Sequence, residues 1–187
     1  HARVVPVIED GKPTNLMLVT SDITERRRIE DALQVSEERL RQAVRTGNIG
    51  IFDHDHINDT IFWSLEQQHI YGWPPDEVVT VAGIGNRLHP EDFARVADAW
   101  NKSHDPQGDG NFDLETRIIA HDGTPRWVNV RSQTLFAGDG NNRCHVRTIG
   151  ATTDITTYKQ QQEALLRYNQ RLSVLRDIDR AILSSRS

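Results

Sequence analysis

The chain has 187 residues, room for one core-bearing domain plus helical flanks. With 36% hydrophobic residues, a net charge of −5 and no apolar run near the ~18–20 residues that span a bilayer, it offers no membrane contact and no basic surface for nucleic acid. The single Cys144 excludes an internal disulfide and suits a reducing, cytoplasmic compartment.

Residues 2–8 read as a strand, Asp10-Gly11 as a turn and Asn15 to Thr20 as a second strand, together a hairpin. From Glu25 the period becomes helical. Ile29, Leu33, Ser36, Leu40 and Ala43 are spaced 4-3-4-3, a coiled-coil-like seam that Thr46-Gly47-Asn48 ends. Arg26-Arg27-Arg28, flanked by Glu25 and Glu30, reads as a solvated helix face. Gly50 to Asp55 and Thr60 to Trp63 are short strands around Asn58-Asp59. Leu65 to Tyr71 is a helix ended by Gly72, and Pro74-Pro75-Asp76-Glu77 is expected to start a further turn of helix to about Val81. His89-Pro90-Glu91-Asp92 opens a longer helix, with proline and acids in its first turn and Phe93, Val96, Ala97 and Trp100 on one face.

Three strands follow. Phe112, Leu114, Thr116 and Ile118 alternate with polar residues, and Asp122-Gly123 makes a tight hairpin. Trp127 to Phe136 carries Val128, Val130 and Ser132 on one side. A turn at Gly138 to Asn142 leads to the last strand, Arg143 to Thr153. A helix then runs to about Ser184, with Leu165, Tyr168, Leu172, Leu175 and Ile182 at heptad spacing and Ile178 off the seam. The expected class is α+β, a five-stranded antiparallel sheet with helices on one face and coiled-coil-like helices at both ends.

One tetrapeptide occurs almost twice. Ser21-Asp22-Ile23-Thr24 returns as Thr153-Asp154-Ile155-Thr156, 132 positions on, and in the same phase Leu33 maps on Leu165 and Leu40 on Leu172. The expectation is one module with its exit helix, preceded by the end of an earlier copy, in a chain taken from a longer tandem protein.

Several motifs, in this order and spacing, resemble the PAS sensor domains that end in "PAC" strands. They are Ser36-Glu37-Glu38-Arg39-Leu40, Gly50-Ile51-Phe52-Asp53, Trp63-Ser64, Tyr71-Gly72-Trp73 and His89-Pro90-Glu91-Asp92. Asp122-Gly123-Thr124 with Trp127-Val128, then Gly150 with Asp154-Ile155-Thr156, complete the set. The resemblance implies a division into 1–24, the last strands of a preceding PAS domain; 25–46, a linker helix; 47–156, the PAS domain; and 157–187, an exit signalling helix toward a further domain. Leu172 to Ser185 also resembles the lead-in helix of a GAF domain. A module of this kind senses a ligand or cofactor and dimerises within a multidomain signalling protein, often a histidine kinase or a cyclic-dinucleotide enzyme. No phosphoacceptor helix, ATP lid or cyclase motif occurs here, so no catalytic residue is expected in the chain.

Between the strand faces and the long helix, Val96, Trp100, Phe112, Leu114, Thr116, Ile118, Val128, Val130, Ser132 and Thr148 are the expected lining of a small-molecule pocket, or else a dry core. Flavin is disfavoured. Flavin sensors of this family carry a reactive Cys on a short helix and amides on the central strands, whereas Cys144 begins the last strand and Ile118 and Val128 occupy inward positions. Haem is disfavoured too: His89 reads as a residue of the helix start, His104 as a solvated loop residue, and His69 falls between polar Gln68 and apolar Ile70. In Asp53-His54-Asp55-His56 two imidazoles share one side of a strand, but zinc needs more ligands, so a polar strand end and no metal are expected. Asp154, Ile155 and Thr156 are the expected relay into the exit helix, by a helix cap and by pairing of Asp154 with Arg126 or Arg131. A homodimer through the flanking helices and the sheet, with outward Trp127 and Ile119 as apolar surface, is the expected assembly; a ligand-free dimerisation module is the alternative.

Overall fold

The computed structural model describes residues 2–9, 12–20 and 24–184, with side chains described over 24–140 and 142–176. Asp10-Gly11, Ser21-Asp22-Ile23 and the side chains of Ile178 and Ile182 lie outside those residues. The chain divides into two compact units, 1–44 and 45–187. In the first, β1 (Ala2–Glu9) and β2 (Lys12–Thr20) form the expected antiparallel hairpin, with Ala2 facing Thr20. Helix α1 (Thr24–Thr46) follows. Its seam residues Ile29, Leu33 and Leu40 are 61%, 57% and 66% exposed. Arg26 of the basic run pairs with Glu30 at 2.7 Å, one turn on.

The second unit is built on β3 (Ile49–Asp55), β4 (Thr60–Trp63), β5 (Asn111–Ile119), β6 (Pro125–Ala137) and β7 (Cys144–Asp154). They form one antiparallel sheet in the order β4-β3-β7-β6-β5. Because side chains alternate along a strand, the pairs Thr116↔Val128, Val130↔Thr152, Ser132↔Gly150, Thr134↔Thr148 and Phe52↔Gly150 put these residues on one face. Helices α2 (Leu65–Tyr71), α3 (Val81–Asn86) and α4 (Phe93–Ser103) complete the domain, and α5 (Thr156–Ser184) leaves it.

The inner face carries the core. Trp63, Ile70, Tyr71, Trp73, Ile118 and Val128 form a buried cluster, with Trp63 edge-on to Trp73 at 5.1 Å and tilted on Tyr71 at 4.7 Å. The short α2 is fixed at both ends. Ser64 caps it through Gln67 N and also accepts from Ile51 N of β3, and Gly72 ends it in the left-handed conformation at φ 59°.

One expected helix is displaced. Pro74-Pro75-Asp76-Glu77 makes only a turn; the helix starts at Thr80, whose side chain accepts from Gly83 N. In that turn the Trp73 indole N–H donates to the Glu77 carbonyl at 3.1 Å and fastens the segment to the core instead. The long helix begins as expected, through a 3-10 turn at Pro90–Asp92. Phe93, however, points outward at 55% exposure, while Val96, Ala97 and Trp100 are half-buried.

Asp92 fastens this helix to β5. It accepts from Arg117 Nε at 3.0 Å, from Arg117 Nη2 at 2.9 Å and from the Arg117 backbone N at 2.9 Å. Its carboxylate is 6% exposed, and the Arg117 guanidinium holds it well below the usual carboxylate range. We expect Asp92→Asn to lower stability by about 2–3 kcal/mol in urea denaturation at neutral pH, because a buried charged bond network is broken. A carboxyl depressed on folding stabilises above its unfolded value of about 3.9 and loses that contribution as pH falls toward its folded value, so the gap to the wild type should close in acid. Gly150→Ala should cost about 1–3 kcal/mol in the same assay by overpacking, since its Cβ would lie 2.3 Å from the Phe52 ring and 2.6 Å from the Arg131 carbonyl.

Candidate functional site

The ten residues expected to line a pocket share the inner side of the sheet and α4, but they fall into two groups. Thr116, Ile118, Val128 and Thr148 are sealed, at 2%, 0%, 0% and 0% exposure, and Phe112 is buried. Val96, Trp100, Leu114, Val130 and Ser132 stay half-buried, as does Phe52, which lies across Gly150. Of the sealed residues, Ile118 and Val128 pack with Ile70 of α2 and the aromatic cluster, against which Phe52 and Val130 also lie, whereas Thr116 bonds Asp92 and Thr148 sits at the other end of the face. Arg95 of α4 donates to the Glu115 carbonyl on the edge strand at 2.9 Å and holds the helix there.

Three buried polar atoms on this side have no hydrogen-bond partner among the described residues: Gln67 Oε1, Thr152 Oγ1 and His54 Nε2. Gln67 is 2% exposed, and its Oε1 lies so close to Gly50 that a Cβ there would be 2.1 Å away. Gly50 is the β3 partner of Thr152. Sequence periodicity did not single out Gln67, because it falls among the polar residues of a short helix. A separate groove of about 580 Å³ opens on the outer β3–β4 edge beside Phe62, Ile57 and the Asp53–Arg147 ion pair.

The other end of the inner face is polar. Thr148 Oγ1 meets His56 Nε2 at 2.8 Å, Thr134 Oγ1 at 3.0 Å and His104 Nε2 at 3.3 Å. His104 is therefore not a solvated loop residue. It is half-buried, stacks on Trp100 with centroids 4.0 Å apart and bonds the Trp100 carbonyl through Nδ1 at 2.9 Å. No local pattern marks this contact, because its partner is 44 residues away in sequence.

At the exit, Asp154 Oδ1 accepts from Thr156 N at 2.8 Å, a cap-like turn into α5. The expected cation partners lie elsewhere: Arg126 donates to the His69 and Ile70 carbonyls at the end of α2, and Arg131 pairs with Asp113. What ties the junction to the sheet is Trp127. Its N–H donates to Thr156 Oγ1 at 2.9 Å, and its carbonyl accepts from Ile155 N at 2.9 Å. Lys159, one turn into α5, lies over the Trp127 ring at 5.2 Å and pairs with Glu115 at 2.5 Å. Trp127 thus contacts the chain's own exit helix.

Residues 60–149 match a family model described as "PAS fold". The chain is 27% identical over 168 residues to a probable diguanylate cyclase, DgcE, of Escherichia coli (strain K12), covering 90% of this chain and 15% of that protein. It is 28% identical over 127 residues to a blue-light-activated histidine kinase of Brucella ovis, covering 68% of this chain and 24% of that protein. The chain therefore spans only a minor part of either relative. A sensory box histidine kinase/response regulator from Burkholderia thailandensis matches in structure with a TM-score of 0.58 at 27% identity, over 72% of this chain and 98% of that one. The N-terminal domain of a diguanylate cyclase with PAS/PAC sensor from Marinobacter aquaeolei shares the fold, with a TM-score of 0.50 at 18% identity, over 59% and 98%. With its sheet order, its helical layer and the match over residues 60–149, the second unit has the PAS fold and is similar to the PAS sensor domains of signalling proteins.

Proposed function

We propose that this PAS domain is a relay whose sheet passes a shift, driven by a small ligand or by a neighbouring domain, through Asp154-Ile155-Thr156 into α5. The observation that carries the reading is the reciprocal clamp of Ile155 and Thr156 on Trp127. Strand β7 ends at Asp154 and α5 begins at Thr156, so a slide of β7 against β6 must strain or break these bonds. The ligand space is the half-buried group of Phe52, Val96, Trp100, Leu114, Val130 and Ser132, an apolar lining with one hydroxyl. A ligand shifts such an equilibrium only by its differential affinity for the two states.

The output, a kinase or a diguanylate cyclase as in the relatives, lies outside these residues, and the protein works in the cytoplasm as a homodimer. Among the described residues no helix is long and apolar enough to cross a membrane. The dimer reading rests on α5, whose Leu165, Tyr168, Leu172 and Leu175 are 60%, 60%, 42% and 52% exposed at heptad spacing. The blue-light response named for the Brucella kinases is not carried over. The chain's one cysteine, Cys144, is exposed at the start of β7, and Ile118 and Val128 offer no hydrogen bond to a flavin.

Thr156→Val should remove about 1 kcal/mol by deleting the acceptor for Trp127 N–H. In amide exchange, the first turn of α5 should open several-fold faster while the centre of the sheet keeps its protection; unchanged exchange in that turn would sink the clamp. Leu172→Asp should weaken self-association in sedimentation equilibrium, and a wild-type chain that stays monomeric at high concentration would contradict the dimer. Native mass spectrometry decides between ligand sensor and ligand-free module by the presence or absence of a co-purified small molecule.

A further inference from the structure

Eight histidines occur in the chain, and four of them meet at one end of the inner face. His54 and His56 come from β3, His104 from the end of α4 and His145 from β7. The ring centroids of His54 and His56 are 3.9 Å apart. His56 lies 4.7 Å from His145 and 5.2 Å from His104, and His104 lies 5.3 Å from His145. Among the described residues no group of three such side chains is arranged to hold a metal ion. His56 and His104 instead direct their Nε2 atoms at one hydroxyl, that of Thr148.

The protons at that hydroxyl can be placed. The Trp100 carbonyl can only accept, and the Ser103 hydroxyl, 3.0 Å from His104 Nδ1, already donates to that carbonyl at 2.9 Å; a proton on Nδ1 satisfies both, and in the neutral ring Nε2 is then bare. The Thr148 O–H can then donate to His104 Nε2, while its oxygen accepts from His56 Nε2–H and from the Thr134 hydroxyl. One donor and two acceptor positions are all filled. Adding a proton to His104 turns its Nε2 into a donor. The Thr148 proton must then turn to Thr134 Oγ1, and the Thr134 proton, which had Thr148 as its acceptor, is left without one among the described residues. Thr134 and Thr148 are 1% and 0% exposed, so water does not relieve the conflict.

No strong counter-ion compensates. Asp55 belongs to the other side of β3, where it binds Ile57 N and Asn58. Asp59 approaches His54 Nε2 only to 3.5 Å and is 91% exposed. Asp105, next to His104, binds Gln107 N. Arg143, at the head of β7, stacks on Phe136 and donates to the Pro106 carbonyl, and Arg147 is paired with Asp53. Burial and the three neighbouring imidazoles push His56 down to about 4, and burial lowers His104 as well.

We propose that His54, His56, His104 and His145 form a proton-operated latch, which holds the end of α4 on the β3–β7 part of the sheet while neutral and releases it when protonated. Release would move Trp100, which stacks on His104 and borders the space between α4 and the sheet. Acidity thereby becomes an input to the domain, whether or not a ligand also binds. The sign follows from the protons: an imidazole depressed in the closed state favours that state above its free value of about 6.5, and the preference falls as pH drops from there toward 4.

The test uses the whole chain with ¹⁵N-labelled histidine, followed by NMR from pH 8 to 4.5 alongside amide exchange. His56 should stay neutral until pH nears 4, and His104 should titrate below its free value. Protection of residues 100–105 should then fall with acidification by up to about tenfold per pH unit for each proton taken up, while the β5–β6 hairpin stays protected. His104→Gln, which keeps an acceptor for Thr148 but gains no proton, should hold that protection to lower pH. Imidazoles that titrate at or above 6.5 in the wild type, with protection unchanged, overturn the latch even if the variant does not fold. Loss of protection at the same midpoint in His104→Gln and wild type also overturns it.

Discussion

Strand β7 lies between β3 and β6, and its register sets nearly everything else in the domain. Pairing of Gly150 with both Phe52 and Ser132 puts Thr148, Gly150 and Thr152 on the inner face. A slip of one residue would turn all three outward and bring Ile149 and Arg147 in. The same register sets Asp154 opposite Val128 and so delivers Thr156 to Trp127. At the other end it brings Thr148 to His56, Thr134 and His104. Inner-face chemistry and the root of α5 are thus carried on one continuous strand of 11 residues.

The helical layer is held less uniformly than the sheet. Its first turn is fixed by the network of Asp92 with Arg117 and by the Arg95 bond to the edge strand. Its end is held by the bond of His104 to the Thr148 hydroxyl rather than by a charge pair. The proposed ligand space would lie between one firm attachment and one weaker one, the arrangement in which a domain changes shape most readily.

The sheet was legible because period-two alternation is a local signal: Phe112 to Ile118 and Val128 to Ser132 declare their inward faces without tertiary information. Proline and acids at residues 90–92 likewise announced α4. The helix at residues 81–86 lies beyond its expected place, and the turn before it is tied to the core by a bond from Trp73 to the Glu77 carbonyl that no local pattern announces. The second Asp-Ile-Thr copy marks the junction of β7 and α5, but an arginine partner for Asp154 was expected where bonds to the Trp127 backbone make the attachment. The histidine cluster was legible only in part, as His54 and His56 on one side of a strand. Its members come from three segments that only the fold brings together, and each alone has an ordinary sequence context.

The central claim is that β7 mechanically links the inner face to α5. A double-mutant cycle on stability between Thr148→Val, at the histidine end, and Thr156→Val, at the helix root, tests it most directly. Sites this far apart are normally additive to within about 0.3–0.5 kcal/mol. The account predicts a coupling energy clearly above that limit. Strict additivity would show that the two ends of the strand are independent and would contradict the relay.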